Sequence, residues 1–191
     1  MKKKLTTIAL IIICLALVSG GTLAYYTHTD TARNVITSGG IKVEIVEQQI
    51  VNGKPESYPD DEAIMIMPGT SVSKIVSVQS LEQPAWLRMS YTLTVKDANK
   101  NTMELSAEQL AAIISINTDS TSWTLKDGWY YYNAALGGGE ISKPLFTTVS
   151  FSGPNMGNEY QKATLYIDVK AEAIQQANNG STAAEAYWPT T

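Results

Sequence analysis

From Ala85 to Val95 the chain alternates two kinds of side chain: Leu87, Met89, Tyr91, Leu93 and Val95 on one parity, Trp86, Arg88, Ser90, Thr92 and Thr94 on the other. A period of two sends successive side chains to opposite faces of a strand, so this run predicts a long strand with the Leu87-to-Val95 set toward a core. Ile41, Val43 and Ile45 alternate with Lys42 and Glu44 in the same way, as do Leu165, Ile167 and Val169 within Ala163 to Ala173. Val72, Ile75, Val76 and Val78 mark a further strand, and Phe146 to Phe151 another, both rich in β-branched or aromatic residues.

Turn chemistry separates these runs. Asn52-Gly53, Pro68-Gly69, Asp127-Gly128 and Gly137-Gly138-Gly139 are read as sources of the positive φ angles that tight reversals need. Asp127-Gly128 lies between Trp123-Thr124-Leu125 and Trp129-Tyr130-Tyr131-Tyr132, which predicts a hairpin. One helix is expected, from Ala107 to about Ile114: Ser106 and Gln109 have capping-box spacing, and Leu110, Ile113 and Ile114 form an apolar stripe. The fold class that follows is all-β, a β-sandwich with one short inserted helix.

Ahead of the first strand stand Lys2, Lys3 and Lys4, an apolar stretch from Leu5 to Val18, and a small-residue break through Gly20, Gly21, Thr22 and Ala24. The apolar run stops short of spanning length, so the segment reads as a cleavable signal peptide with the cut between Ala24 and Tyr25. The chain divides accordingly into a signal peptide at 1–24, an N-terminal arm at 25–40, a β-sandwich at 41–173 and a polar C-terminal tail at 174–191. The exported protein is expected outside the cell, touching the membrane only through the uncleaved signal.

Cleavage takes three of the 14 basic residues and none of the 18 acidic ones, so 11 remain against 18 and the net charge becomes −7. Such a surface repels phosphates, and nucleic acid is not an expected partner. The only cysteine, Cys14, leaves with the signal, which removes disulfides, thiol catalysis and thiolate metal sites from consideration. One histidine, His28, remains, near the new N-terminus. A His-Glu-x-x-His zinc site is therefore ruled out, and no Gly-x-Ser-x-Gly elbow or phosphate-cradling loop occurs. Asp60-Asp61-Glu62, the one acidic run, falls in a Pro-containing loop and reads as a solvated turn, with weak calcium binding as the alternative. No catalytic residue, metal ligand or cofactor is expected.

Trp123, Trp129, Tyr130, Tyr131 and Tyr132 crowd one hairpin, and cross-strand packing is the expected use of these rings. The tail is polar and small until Tyr187-Trp188-Pro189, with no Leu-Pro-x-Thr-Gly sorting signal, and Trp188 is free to dock on the domain or on a partner.

The stretch Gly20-Gly21-Thr22-Leu23-Ala24-Tyr25-Tyr26-Thr27, then Asn34 to Gly39, then Ile41 to Ile45, resembles the TasA/camelysin family. The likeness continues through Met67-Pro68-Gly69-Thr70, Pro84-Ala85-Trp86-Leu87-Arg88 and Asp127-Gly128-Trp129-Tyr130-Tyr131-Tyr132 to Lys143-Pro144-Leu145-Phe146. Ile36 stands where that family usually has an aromatic. The resemblance implies export through a SipW-type signal peptidase, a jelly-roll form of the sandwich, and self-association with related subunits into extracellular matrix (biofilm) fibres. It also implies a mode of assembly, in which the arm of one subunit completes a neighbour's sheet. The donor residues would be Tyr26, Thr27, Thr29, Thr31, Val35, Ile36 and Thr37, with Gly39 and Gly40 as the hinge. The residues agree that Tyr25 to Thr37, free of proline and glycine, suits a strand; a strand folded onto its own domain suits them equally. Two other function classes stand beside this one, a monomeric surface module binding carbohydrate or protein and a camelysin-like metal-dependent protease.

Overall fold

The computed structural model describes residues 41–59 and 62–188, together with the backbone of 35–37. All of these belong to the second of two units, Met1–Ala32 and Arg33–Thr191. Among the described residues eleven strands form two sheets, and one short α-helix stands between the sixth and seventh strands in sequence. This is a β-sandwich, as the alternation predicts, of the jelly-roll-like kind that the resemblance implies.

One sheet is built around β6 (Ala85–Lys96) and β11 (Thr164–Gln175), which pair antiparallel along their whole lengths. Next to β6 come β9 (Trp129–Tyr132) and then β8 (Trp123–Lys126); β1 (Val35–Thr37) and β4 (Ile64–Met65) pair with β11. The other sheet runs β3 (Lys54–Ser57), β2 (Val43–Val51), β5 (Ser71–Ser80), β10 (Phe146–Phe151) and β7 (Ile114–Ile116). Their inner faces share one core. Leu87, Met89, Val95, Leu165, Ala171 and Ala173 meet Val43, Ile45, Val76, Val78, Phe146 and Val149 there, all fully buried or nearly so. Burying such side chains contributes on the order of 2 kcal/mol each, the main drive for closing the sandwich.

Local chemistry sets the connections. Asp127 (φ 50°) and Gly128 (φ 79°) both occupy the left-handed region, and the β8–β9 hairpin they close pairs Lys126 with Trp129. Asn52 (φ 52°) and Gly53 (φ 76°) make the same turn between β2 and β3. The helix, α1 (Ala107–Ile113), starts at the expected capping box: the Ser106 hydroxyl accepts from the Gln109 amide at 3.2 Å, and the Gln109 side chain accepts from the Ser106 amide at 2.8 Å.

The glycine triplet departs from its sequence reading. Of the three, only Gly139 has a positive φ. Gly138 is there for close approach: a Cβ at that position would lie 2.4 Å from the Glu82 carbonyl oxygen. The strands β3, β4 and β7 also go beyond the alternating runs, because they are short and, in β3, exposed throughout.

A second departure concerns the outer face of β6. Trp86 and Arg88, expected on the solvent side, are buried, because the tail beyond β11 returns over them.

Candidate assembly surface

Strand β6 holds one edge of β11 from Thr164 to Gln175, so β1 and β4 must share the other. β4 takes Thr164 and Leu165 antiparallel, and β1 takes Ala171 to Ala173 in parallel. Between them lie Tyr166 to Lys170, and among the described residues no strand pairs with this stretch on that side. An open edge in mid-sheet presents a row of backbone donors and acceptors, the template for strand addition. A tripeptide pairing and a dipeptide pairing bracket it.

On the outer face of the same strands the tail builds a closed box. The Arg88 guanidinium donates to Glu172 Oε2 through Nε at 2.8 Å and Nη2 at 2.5 Å, while Lys170 Nζ stands 2.8 Å from Glu172 Oε1. Trp129 and Trp188 flank the guanidinium, with ring centroids 4.3 and 4.4 Å from Cζ. Trp188 also meets Tyr131 edge-on at 5.9 Å. The tail is tied down by Trp86 Nε1 donating to the Asn179 carbonyl at 2.8 Å and Lys126 Nζ donating to that of Ala184 at 3.0 Å. Ala183 is buried against Trp86, Tyr131 and Ile174. Burial pushes the Glu172 carboxyl up, but hydrogen bonds and charge from Lys170 and Arg88 outweigh it and hold the group below its ordinary value.

A second buried ion pair lies on the inner face of the other sheet. Glu47 follows Val43 and Ile45 on the core parity of β2, and Lys74 precedes Val76 and Val78 on that of β5. Lys74 Nζ donates to Glu47 Oε2 at 2.7 Å and stands 3.7 Å from the centroid of the Tyr58 ring. The signal for it in the sequence was the interruption of an apolar parity by charge at both positions. The Arg88–Glu172 pair had no such signal, since both occupy the polar parity of their strands.

Of the residues expected to drive assembly, Val35, Ile36 and Thr37 form β1 on their own chain's β11. Ala24, Tyr25, Tyr26, Thr27, Thr29, Thr31, Gly39 and Gly40 lie outside the described residues, as do Asp60 and Asp61; Glu62 is exposed. The hairpin rings pack as expected. Trp123 and Tyr131 are buried, Trp123 lies 4.9 Å from Tyr132, and Tyr91 stacks on Tyr130 at 5.7 Å. Trp188 docks on its own domain.

The family model of the camelysin metallo-endopeptidase matches residues 1–102, from the first residue to just past β6. The chain belongs to the camelysin family. TasA is a member of the same family. No curated protein and no solved structure matches the chain.

The camelysin description raises the question of a metal. Among the described residues no three His, Cys, Asp or Glu side chains are grouped as ligands. The buried carboxylates, Glu47 and Glu172, are each held by cations, Lys74 in one case and Arg88 with Lys170 in the other. A donor already neutralised by a buried ammonium or guanidinium is a poor ligand, so the described residues do not fit a catalytic zinc. Nor do they contain a helix long and apolar enough to cross a membrane.

Proposed function

We propose that this camelysin-family chain is an exported structural subunit of extracellular matrix fibres, and not a protease. After the signal peptide is cut between Ala24 and Tyr25 by a SipW-type peptidase, the N-terminal arm of one subunit adds a strand to the next. Gly39 and Gly40 serve as the hinge. The observation that carries this reading is the edge of β11 between Tyr166 and Lys170, which no described strand pairs and which is continuous with the three positions that β1 fills. A head-to-tail contact of this kind does not close on itself and grows into a filament. Membership in the family of TasA supports the same reading.

Electron microscopy of the exported protein at rising concentration, with N-terminal sequencing of the same material, tests the proposal. Fibres are expected from the intact protein, and a soluble folded monomer from a variant lacking residues 25–37. Ile36→Asp is expected to act in the same direction, since an unpaired carboxylate in the acceptor groove costs several kcal/mol. Fibres of normal form from the truncated variant would sink strand donation. A truncated variant that cannot fold would make the arm part of its own sandwich.

A further inference from the structure

We infer that Asn52, at the tip of the β2–β3 hairpin, is a self-modification site: the Gly53 amide displaces ammonia from its side chain, and the isoaspartate that results opens the hairpin. Asparagine is a thermally labile side chain, and this chemistry needs no enzyme. The Gly53 nitrogen gives its proton to water and attacks Asn52 Cγ. The bond from Cγ to the side-chain nitrogen breaks, ammonia leaves, and a succinimide ring joins side chain to main chain. One water then opens the ring at either carbonyl, to give aspartate, or isoaspartate with the backbone rerouted through Cβ and Cγ. One ammonia leaves, one water enters, and nothing is oxidised or reduced. Glycine favours the step because it has no side chain to crowd the attack and its backbone turns freely.

The chain has two Asn-Gly pairs, Asn52-Gly53 and Asn179-Gly180, and the fold treats them oppositely. Asn52 and Gly53 are both exposed, and among the described residues no hydrogen bond holds the Asn52 carboxamide. Around Gly53 there is open space, since a Cβ built there meets nothing within 4 Å. Asn179 is held on every side. Its carboxamide oxygen accepts from the Tyr187 amide at 2.8 Å, its carboxamide nitrogen donates to the Gln175 carbonyl at 3.3 Å, and its own carbonyl accepts from Trp86 Nε1 at 2.8 Å. A Cβ on Gly180 would lie 2.9 Å from the Ala186 backbone. Ring closure at Asn179 must break these bonds and push into that contact, so the docked tail protects it.

The consequence for Asn52 follows from the turn. Asn52 and Gly53 set Val51 opposite Lys54, and isoaspartate lengthens the main chain inside that two-residue reversal, so the register cannot be kept. Among the described residues β3 has no second neighbour; it ends its sheet and is exposed throughout. Loosening stops at Tyr58, which is buried and whose amide donates to the Glu47 carbonyl at 2.9 Å. The modification frees residues 52–57 and leaves the core as it is.

Peptide mapping by mass spectrometry of folded protein kept in warm neutral buffer tests this. Asn52 is expected to convert at least about tenfold faster than Asn179. In urea the two should convert at similar rates, and Trp188→Ala should speed Asn179 without changing Asn52. Equal rates in the folded protein, or an Asn52 that outlasts Asn179, overturn the site; a difference that persists in urea overturns protection by the fold. Hydrogen exchange reads the second half. Aged protein should exchange faster across 52–57 with β6 and β11 unchanged, whereas fresh Asn52→Asp, which has the charge without the longer backbone, should exchange as the wild type does. Modified protein with unchanged exchange at 52–57 overturns the opening of the hairpin.

Discussion

The guanidinium of Arg88, in the middle of the sheet, lies 4.4 Å from the ring of Trp188, the last residue the structure describes, with Trp129 on its other side at 4.3 Å. This sandwich fastens the tail. Trp188→Ala is expected to lower stability by about 1–2 kcal/mol and to open the tail around Asn179 to protease, which denaturant melts and limited proteolysis measure. Arg88→Met should cost more, about 3 kcal/mol, because it leaves Glu172 buried with Lys170 alone. Replacing both Arg88 and Glu172 by Met should recover most of that loss. An Arg88→Met variant no weaker than Trp188→Ala would show that the ion pair is not what anchors the box.

Acid should act through Glu172. Its carboxyl is held below the ordinary value of 4.5, so the folded state binds its proton less readily than the unfolded one. The stabilisation is present above pH 4.5 and is lost as pH falls from there through the lowered folded value. Urea melts at a series of acidic pH values should show this loss in the wild type, and a shallower one in Glu172→Gln.

Alkali should act through Tyr91. Burial, with the Tyr130 hydroxyl 3.4 Å away, raises its phenol well above the ordinary 10.0. Only the unfolded chain ionises near pH 10, so stability from this group holds below that value and declines above it. A phenolate absorbance titration should find Tyr91 silent until the fold opens, as comparison with Tyr91→Phe would show.

Two glycines should respond unequally to alanine. Gly138→Ala drives a Cβ against the Glu82 carbonyl and should cost about 3 kcal/mol or more. Gly53→Ala meets open space and carries only the strain of φ +76°, about 1 kcal/mol. Thermal melts of the two variants should keep that order.

Chelator should leave the melting temperature unchanged, since the buried carboxylates Glu47 and Glu172 are paired with cations and no three described His, Cys, Asp or Glu side chains are grouped as ligands. A sharp fall with chelator, or stoichiometric zinc by elemental analysis, would place a functional metal on residues such as His28.

The fold was legible because alternation is a local signal. Leu87, Met89 and Val95 announce the core parity of β6 whatever surrounds them, and Asp127-Gly128 or Ser106 with Gln109 state their turn and cap within four residues. What escaped depends on partners distant in sequence. Nothing near Trp86 and Arg88 signals that Asn179 and Trp188 will cover them. Nor does anything local to Tyr166 or Ile64 reveal that β4 takes the edge of β11 at Thr164 and Leu165. Gly138 was legible as glycine but misread in purpose, since crowding by Glu82 is a tertiary fact and a positive φ is a local one.

The parallel pairing of β1 with β11 also sets how the chain bears load. Tension applied through the start of β1 and the end of β11 pulls the two strands lengthwise past each other, so their hydrogen bonds are strained together in shear and not opened one at a time. Before that, the thirteen residues from Gln176 to Trp188 can peel from the sheet and release about 40 Å of chain. The tail is slack held in reserve: under a pull the Arg88 box gives way first, and the sandwich itself is loaded only after that length has been spent.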